Sequence, residues 1–215
     1  GAYSLPPVGN LTSFIRRGAD LVAFSGGKHI GGPQASGILC GRRDLIRSAW
    51  VQMVDMDVRG GTWSLDEWVR EGWISRPPRH GIGRQMKVSK ESMIGLMTAF
   101  ERYSKRDHEA ETRSWRATMD GIYSAVKDLP GLRWTLISQA PTGQPHPLLL
   151  IESDDREGGL RVRDLILKLR SLPKKIILGE DEVDPDRAFL AAHCLQPGDA
   201  EYIVQSIRTL LNERQ

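Results

Sequence analysis

The stretch from Leu21 to Gln34 constrains the fold of this chain more than any other feature of the sequence. It begins with an apolar run of the length that a buried strand needs, and Gly37 to Cys40 is typical of a second such strand. Glycine pairs at 26–27 and 31–32 turn the chain between them, with Lys28 inside the turn. Desolvation lowers the pKa of a lysine and makes its amine a nucleophile toward carbonyls. A lysine at the mouth of a buried strand therefore indicates a chemically used amine.

Three motifs are compatible with parts of this stretch. A phosphate-binding P-loop fails, because Val22 stands where its first glycine is needed and His29 follows the lysine. The S-x-x-K of penicillin-binding enzymes matches Ser25 to Lys28, but its partners S-D-N and K-T-G occur nowhere in the chain. The third motif is a lysine that forms a Schiff base with pyridoxal phosphate (PLP), with Ser25 and glycine N–H groups near the phosphate. On the local pattern alone, a surface lysine in a glycine turn is an equal alternative.

The wider sequence favours the PLP interpretation. Residues 18–46 resemble the lysine region of the selenocysteine-synthase-like branch of fold-type-I PLP-dependent enzymes, which includes L-seryl-tRNA(Sec) selenium transferase and D-glucosaminate-6-phosphate ammonia-lyase. Further matches follow in the expected order at 55–57, 80–84 and 86–91. The resemblance runs from about Leu5 to the C-terminus and is densest before residue 105.

The resemblance implies a set of site residues. Lys28 is the catalytic lysine, and the cofactor-binding residues are Ser25, Gly27, Lys28, Gly31 and Gly32. An R-x-x-[RK] pair of the family holds anionic groups, and Arg84 and Lys87 match it, with lysine where selenium transferases carry arginine. Arginine suits this role because its planar fork binds a carboxylate or phosphate with two hydrogen bonds. The alternative for both side chains is an ordinary surface ion pair.

The expected fold class is α/β, formed by the C-terminal part of a fold-type-I enzyme. Residues 1–87 are the remainder of the PLP-binding large domain, 88–127 an interdomain helix and 128–215 a small α/β domain. Ser89 is the expected cap of that one long helix. In the remainder of the large domain we expect the edge of a parallel sheet to be unpaired.

The small domain should contain four strands and two helices. The patterns predict strands at 132–137, 148–151, 175–178 and 188–192, and helices at 161–172 and from Pro197 onward.

The N-terminus resembles the family segment that directly follows the aspartate pairing with the pyridine nitrogen. By that alignment the aspartate precedes Gly1, and the sequence is expected to be a fragment that lacks the N-terminal half of the enzyme. A truncated, non-catalytic chain that acts as an interaction module is therefore an alternative to an active enzyme.

Composition argues against nucleic-acid binding and against insertion into a membrane. The net charge of +3, with basic and acidic residues well mixed, gives no footprint for nucleic acid. No apolar run approaches the length of a membrane span, and Cys40 and Cys194 are interpreted as buried free thiols of a reducing, cytoplasmic compartment. Trp63, Trp68 and Trp73 lie in a glycine- and proline-rich segment and indicate either a pocket or subunit contact, or ordinary packing.

The histidines and the acidic run carry no metal-site pattern. His108 lies among charged residues, so we do not expect it to bind a metal ion. His193, beside Cys194, is expected to have a structural role. His146 lies in a proline-rich loop without an evident partner, and the acidic run at 180–186 lacks the spacing of a calcium loop.

The sequence thus predicts a PLP-dependent lyase of the β-elimination or ammonia-lyase type, acting on a small amino acid or amino-sugar acid. The alternative within the same branch is a selenium transferase, for which tRNA is an unexpected partner because no tRNA-binding region is visible. Because fold-type-I sites lie at subunit interfaces, the resemblance also implies a homodimer or higher oligomer.

Overall fold

A computed structural model describes residues 8–54, 66–138, 140, 146–154 and 160–212. The chain divides into two compact units, residues 1–106 and 107–215. The assignment of 1–87, 88–127 and 128–215 to enzyme domains remains a prediction.

The described residues of the first unit form a short antiparallel sheet and four helices. Its elements are α1 (Asn10–Arg16), β1 (Leu21–Ser25), β2 (Gly37–Gly41), α2 (Arg43–Met53), α3 (Asp66–Arg70) and α4 (Lys90–Lys105). The predicted strands on both sides of the lysine turn are confirmed.

Strands β1 and β2 pair antiparallel, with Leu21 opposite Gly41 and Ser25 opposite Gly37. The expectation of a parallel sheet edge is therefore wrong for the two strands described here. The connection between them, residues 26–36, reverses the chain directly, whereas a parallel pair needs a longer crossover that returns to the starting end of the sheet. The reversal is what places Lys28 beyond the end of β1.

The predicted helix from Ser89 to about Lys127 is wrong in its length. Ser89 caps α4 as expected, its hydroxyl accepting a hydrogen bond from Ser92 N at 3.1 Å, but the helix ends at Lys105. Arg106 is extended, with ψ 139°, and the Asp107 carboxylate accepts a hydrogen bond from Ala110 N at 2.8 Å. Aspartate is a strong N-cap, so Asp107 begins a new helix rather than continuing the old one.

In the second unit, the residues that the structure describes form a four-stranded antiparallel sheet and three helices. Its elements are α5 (His108–Val126), β3 (Leu132–Ile137), β4 (Leu148–Ser153), α6 (Val162–Ser171), β5 (Gly179–Glu180), β6 (Arg187–Ala191) and α7 (Asp199–Asn212). The strand order is β3-β4-β6-β5. Alternate side chains of the strands, such as Leu149, Ile151 and Leu190, join α5, α6 and α7 in one buried cluster. Burial of each such side chain contributes roughly 1.5–3 kcal/mol before entropic costs.

The predicted strand at 175–178 is displaced to β5. Ile176 N donates a hydrogen bond to Leu169 O at 3.1 Å, which ties this segment to α6 rather than to a neighbouring strand. Ile176 and Leu178 are buried while Ile177 is exposed, so an extended segment without sheet pairing produces the same alternation as a strand.

Within the part of the chain that the structure describes, no helix has the length and apolar character needed to cross a membrane.

Candidate functional site

Backbone hydrogen bonds fix the turn that carries Lys28. Gly26 N donates to Ser36 O at 2.9 Å, which continues the pairing of β1 and β2 by one step. Gly32 N donates to Gly26 O at 2.8 Å and closes a smaller loop inside it. Gly31 N donates to Lys28 O at 2.8 Å, and Gly31 has the positive φ of 78° that this tight turn requires. Hydrogen bonds therefore fix the backbone conformation around Lys28.

Close packing explains why glycines recur in the turn. A Cβ added at Gly27 would lie 2.6 Å from Gln34 Cα, and one at Gly32 would lie 3.2 Å from Leu96 Cδ1 of α4. A Cβ at Gly95 of α4 would in turn lie 2.8 Å from Pro33 Cγ. The lysine turn thus folds onto itself and packs against α4 over surfaces that leave no room for side chains.

Three hydrogen-bond donors at this turn have no partner among the described residues. They are the Ser25 hydroxyl, the Gly27 N–H and the Lys28 ammonium. The amides of Gly31 and Gly32 are engaged inside the turn, so these glycines shape the backbone instead of offering free donors. An acidic ligand requires unpaired hydrogen-bond donors close together, and these three donors lie on the same turn.

The sequence predicted that Lys28 is shielded from solvent, but the described residues do not bury it. Phe24 and Ile30 on either side of the glycines are buried, at 4% and 1% exposure, but Lys28 itself is exposed. The apolar strand positions point into the unit, while the turn carries the lysine beyond its end. The apolar run therefore predicted strand β1 correctly. The expectation that the Lys28 amine is shielded from water is wrong for the described residues.

Arg84 and Lys87 lie on a second glycine segment that docks on the end of α2. Gly81 N donates to Val54 O at 2.9 Å and Gly83 N donates to Gln52 O at 2.8 Å. A Cβ at Gly81 would collide with the carbonyl oxygen of Gln52, so this approach also requires glycine. The side chains of Arg84 and Lys87 are exposed. Their geometry permits an anion-binding role and also the alternative of surface ion pairs.

An aromatic cluster around Arg47 was missed by the sequence reading. The Arg47 guanidinium lies 4.5 Å from the ring centroid of Trp73 and 5.3 Å from that of Trp68, and it pairs with Glu71 at 3.5 Å. Trp68, on α3, is buried and makes an edge-to-face contact with Trp50 at 5.3 Å. For Trp68 and Trp73 this favours packing over a pocket; Trp63 lies outside the described residues. The spacing of Arg47 and Trp50 on one face of α2 was the available signal.

The histidines of the second unit are more buried than the sequence suggested. His108 is 7% exposed at the start of α5, 3.8 Å from a carboxylate oxygen of Glu111, although its neighbours in sequence are charged. His146 is also 7% exposed, and its ring centroid lies 5.4 Å from that of His193. Burial, with a smaller effect from His193, lowers the pKa of His146. No cluster of three potential metal ligands occurs among the described residues.

The acidic run forms a surface turn held by arginines. Asp186 pairs with Arg161 at 2.9 Å, Asp184 with Arg187 at 3.4 Å, and Glu180 with Arg170. Asp181 accepts hydrogen bonds from the backbone N–H groups of residues 183 and 184. These four carboxylates are thus engaged in ion pairs and hydrogen bonds within the fold.

Comparison with known proteins confirms the resemblance seen in the sequence. The family model for L-seryl-tRNA selenium transferase (SelA) matches residues 1–56. A 5'-C-glycyluridine monooxygenase-decarboxylase from a Streptomyces species is 28% identical over 210 residues, which cover 94% of this chain and 44% of the relative. The D-glucosaminate-6-phosphate ammonia lyase of Salmonella typhimurium is 27% identical over 201 residues, covering 94% and 46%. The L-seryl-tRNA(Sec) selenium transferase of Geobacter metallireducens is 23% identical over 206 residues, covering 92% and 40%.

The solved structure of a D-glucosaminate-6-phosphate ammonia-lyase has the same fold. It superposes with a TM-score of 0.62 at 23% identity, over 94% of this chain and 46% of that chain. The predicted α/β fold class, as a part of a larger enzyme fold, is confirmed. The chain spans less than half the length of the curated relatives it matches, and those relatives are enzymes of several reaction types.

Proposed function

We propose that this chain carries the lysine-bearing part of a PLP-dependent enzyme, with Lys28 as the residue that binds the cofactor through a Schiff base. One observation carries the proposal: a hydrogen-bonded glycine turn carries an exposed lysine, the Ser25 hydroxyl and the Gly27 N–H with no partners among the described residues. The resemblance to the selenocysteine-synthase-like branch supports PLP as the ligand of this turn.

The residues of the turn fit a cofactor that has both an aldehyde and a phosphate. The amine of Lys28 supplies the nucleophile, and the Ser25 hydroxyl and Gly27 N–H supply donors for an acidic group. Gly31 and Gly32 hold the backbone of the turn in shape. PLP, when bound, supplies an electron sink for a carbanion at the α-carbon of an amino acid. Lys28 is then the group within the turn that takes or returns the proton at that carbon.

Arg84 and Lys87 are proposed to hold the anionic part of the substrate. Both are exposed cations on a segment whose backbone is fixed against α2 by Gly81 and Gly83. Arg84 can bind a carboxylate or phosphate with two parallel hydrogen bonds, whereas Lys87 acts as a point charge. A small amino acid or amino-sugar acid with an acidic group fits this pair.

β-Elimination or ammonia loss is the reaction we favour, by analogy with the ammonia lyase that is 27% identical to this chain. Selenium transfer to seryl-tRNA is the second candidate, because the family model that matches residues 1–56 is that of a selenium transferase. A chain without activity that serves as an interaction module is the third. For the intact enzyme we propose a homodimer or higher oligomer in the cytoplasm.

A titration with PLP tests the proposal. Wild-type protein should develop a visible absorbance band that borohydride abolishes, and Lys28→Arg should not. Lys168→Arg, a lysine on α6 in the other unit, is the matched control and should behave as wild type. Absence of the band in protein whose circular dichroism shows it folded contradicts the assignment of Lys28.

The substrate proposal is tested separately, on protein that carries the cofactor. Release of ammonia from small amino acids and amino-sugar acids should be measured for wild type and Arg84→Lys. The variant keeps the charge and loses the fork, so KM should rise by about tenfold, the equivalent of one charge-assisted hydrogen bond. Serylated tRNA as the sole accepted substrate would favour the selenium-transferase candidate instead.

A further inference from the structure

The second unit contains a cavity of about 400 Å³ that the proposed function does not use. It lies over the strands β4 and β6, beside the segment 174–179 and the start of α7. We propose that this cavity binds a small organic monoanion with an apolar body, of the chemical class of a medium-chain or aromatic carboxylate. The proposal rests on residues of the second unit alone and is independent of Lys28.

The floor of the cavity is apolar and open to solvent. Phe189 and Ala191 of β6 contribute the sheet side, because they face away from the buried cluster that contains Ala188 and Leu190. Ile177 lines the cavity with 63% of its surface exposed, which is unusual for isoleucine. An exposed apolar floor of this kind gains free energy when an apolar ligand covers it.

The rim of the cavity carries one uncompensated positive charge. Lys174 is neutralised by Asp199, whose carboxylate lies 2.6 Å from its Nζ, and it also lies 5.0 Å from the ring centroid of Tyr202. Tyr202 donates a hydrogen bond to Lys174 O at 2.8 Å, which fixes this side of the rim. Lys175, the next residue, has no ion pair among the described residues and lines the same cavity.

Two further polar side chains, His193 and Cys194, line the cavity. Partial burial lowers the pKa of His193, which favours the neutral form of its imidazole. The lowered pKa of Asp199, caused mainly by its hydrogen bond to Lys174, keeps the Lys174–Asp199 pair ionised well below neutral pH. The net charge of the rim is therefore one positive charge, which complements a monoanion.

The shape and the charge together select the ligand class. A cavity of a few hundred Å³ with an apolar lining and few polar groups is typical of small-molecule sites. A cation would meet Lys175 without a free carboxylate to offset it, and an inorganic anion would leave the apolar floor uncovered. An amphipathic carboxylate meets both requirements: its hydrocarbon part covers Ile177 and Phe189, and its charge pairs with Lys175.

Octanoate is the probe, and its binding to the full chain should be measured by calorimetry. We expect one saturable site, weaker by about fivefold in Lys175→Gln, since one exposed ionic contact is lost. Lys168→Gln, a lysine outside the cavity, should leave the affinity unchanged. 1-Octanol, which has the same chain without the charge, should bind more weakly than octanoate. Equal affinity of the two lysine variants, or of the two ligands, overturns the anion site.

The apolar floor is tested by Ile177→Ser, with Leu167→Ser as its control. Both residues are exposed, at 63% and 55%, so neither change should impair folding, which a thermal melt will check. Ile177→Ser should weaken octanoate binding severalfold, whereas Leu167→Ser, on α6, should not. Loss of binding in the Leu167 variant alone would place the ligand elsewhere and contradict the proposal.

The two cysteines give an independent readout of location. The prediction that both thiols are buried is wrong: Cys194 is exposed and Cys40 is partly exposed. Cys194 lines the cavity, whereas Cys40 lies on β2 in the first unit, its Sγ 3.7 Å from Val22 O. Saturating octanoate should slow alkylation of Cys194 by iodoacetamide and leave alkylation of Cys40 unchanged, as peptide mapping can quantify. Absence of protection at Cys194 under saturating ligand overturns this location of the site.

Discussion

The substitution Gly27→Ala tests whether the shape of the lysine turn depends on close backbone packing. The added Cβ would lie 2.6 Å from Gln34 Cα and 3.0 Å from Pro33 O, and both are backbone atoms. Ordinary contact begins at 3.4 Å, so the backbone of residues 33–34 must move away from Gly27 by close to 1 Å, of the order that overpacked sites require.

The expected cost follows from two opposing effects. Overpacking at a site that cannot relax destabilises a protein by about 1 to 3 kcal/mol. Alanine also restricts the unfolded chain, which offsets roughly 0.4–1 kcal/mol. We therefore expect Gly27→Ala to reduce the free energy of unfolding of the first unit by about 1–2 kcal/mol. Gly26→Ala should destabilise the turn as well, because its added Cβ would meet the Ser36 hydroxyl, Leu96 Cδ1 and, at 3.1 Å, the Ser36 backbone carbon.

Hydrogen exchange measured by mass spectrometry is the appropriate assay, because it reports the turn itself. The amides of Gly31 and Gly32 donate hydrogen bonds inside the turn and should lose protection in Gly27→Ala. Gly121→Ala is the control: a Cβ there meets nothing within 4 Å on α5, so this variant should be as stable as wild type or slightly more stable. Unchanged protection of residues 26–36 in Gly27→Ala would refute the packing argument.

Three further predictions concern the second unit. Ser153→Ala should destabilise it by about 1–2 kcal/mol in urea unfolding, because its hydroxyl accepts from Val162 N at 3.0 Å and donates to Asp186 at 3.1 Å; an unchanged midpoint contradicts this. Asp107→Ala should cost about 1 kcal/mol through loss of the α5 cap, and Asp107→Asn much less. Burial lowers the pKa of His146 below its ordinary value of 6.5, so the folded state binds fewer protons than the unfolded state. Stability should therefore fall as the pH decreases below 6.5, and less steeply in His146→Phe; equal slopes would exclude His146 as the cause.

The sequence predicted the elements whose signals are local and strong. Alternation and apolar runs identified β1, β2, β3 and β4 with nearly correct bounds, and helical spacing identified α6 and α7. The resemblance supplied the function class and the candidate Lys28, which no periodicity contains. The glycine pairs predicted a turn there because only glycine tolerates such close backbone contact.

The predictions that failed depend on interactions that the periodicity of apolar residues does not reveal. Arg106 and Asp107 lie in a charged run without glycine or proline, and the capping hydrogen bond of Asp107 marks where one helix ends and another begins. The alternation at 175–178 arises from burial against α6 rather than from sheet pairing. The exposure of Lys28 depends on where the turn leaves the strand, which a run of apolar residues does not determine.

The assignment of Lys28 is the central claim, and peptide mapping tests it most directly. Protein should be incubated with PLP, reduced with borohydride and digested, and the modified lysine should be located by mass spectrometry at substoichiometric and saturating PLP. The account predicts that substoichiometric PLP modifies Lys28 before the other lysines and that Ser25→Ala weakens this preference. Modification spread evenly over exposed lysines, such as Lys90 and Lys175, would show that the turn has no special affinity for the cofactor and would contradict the account.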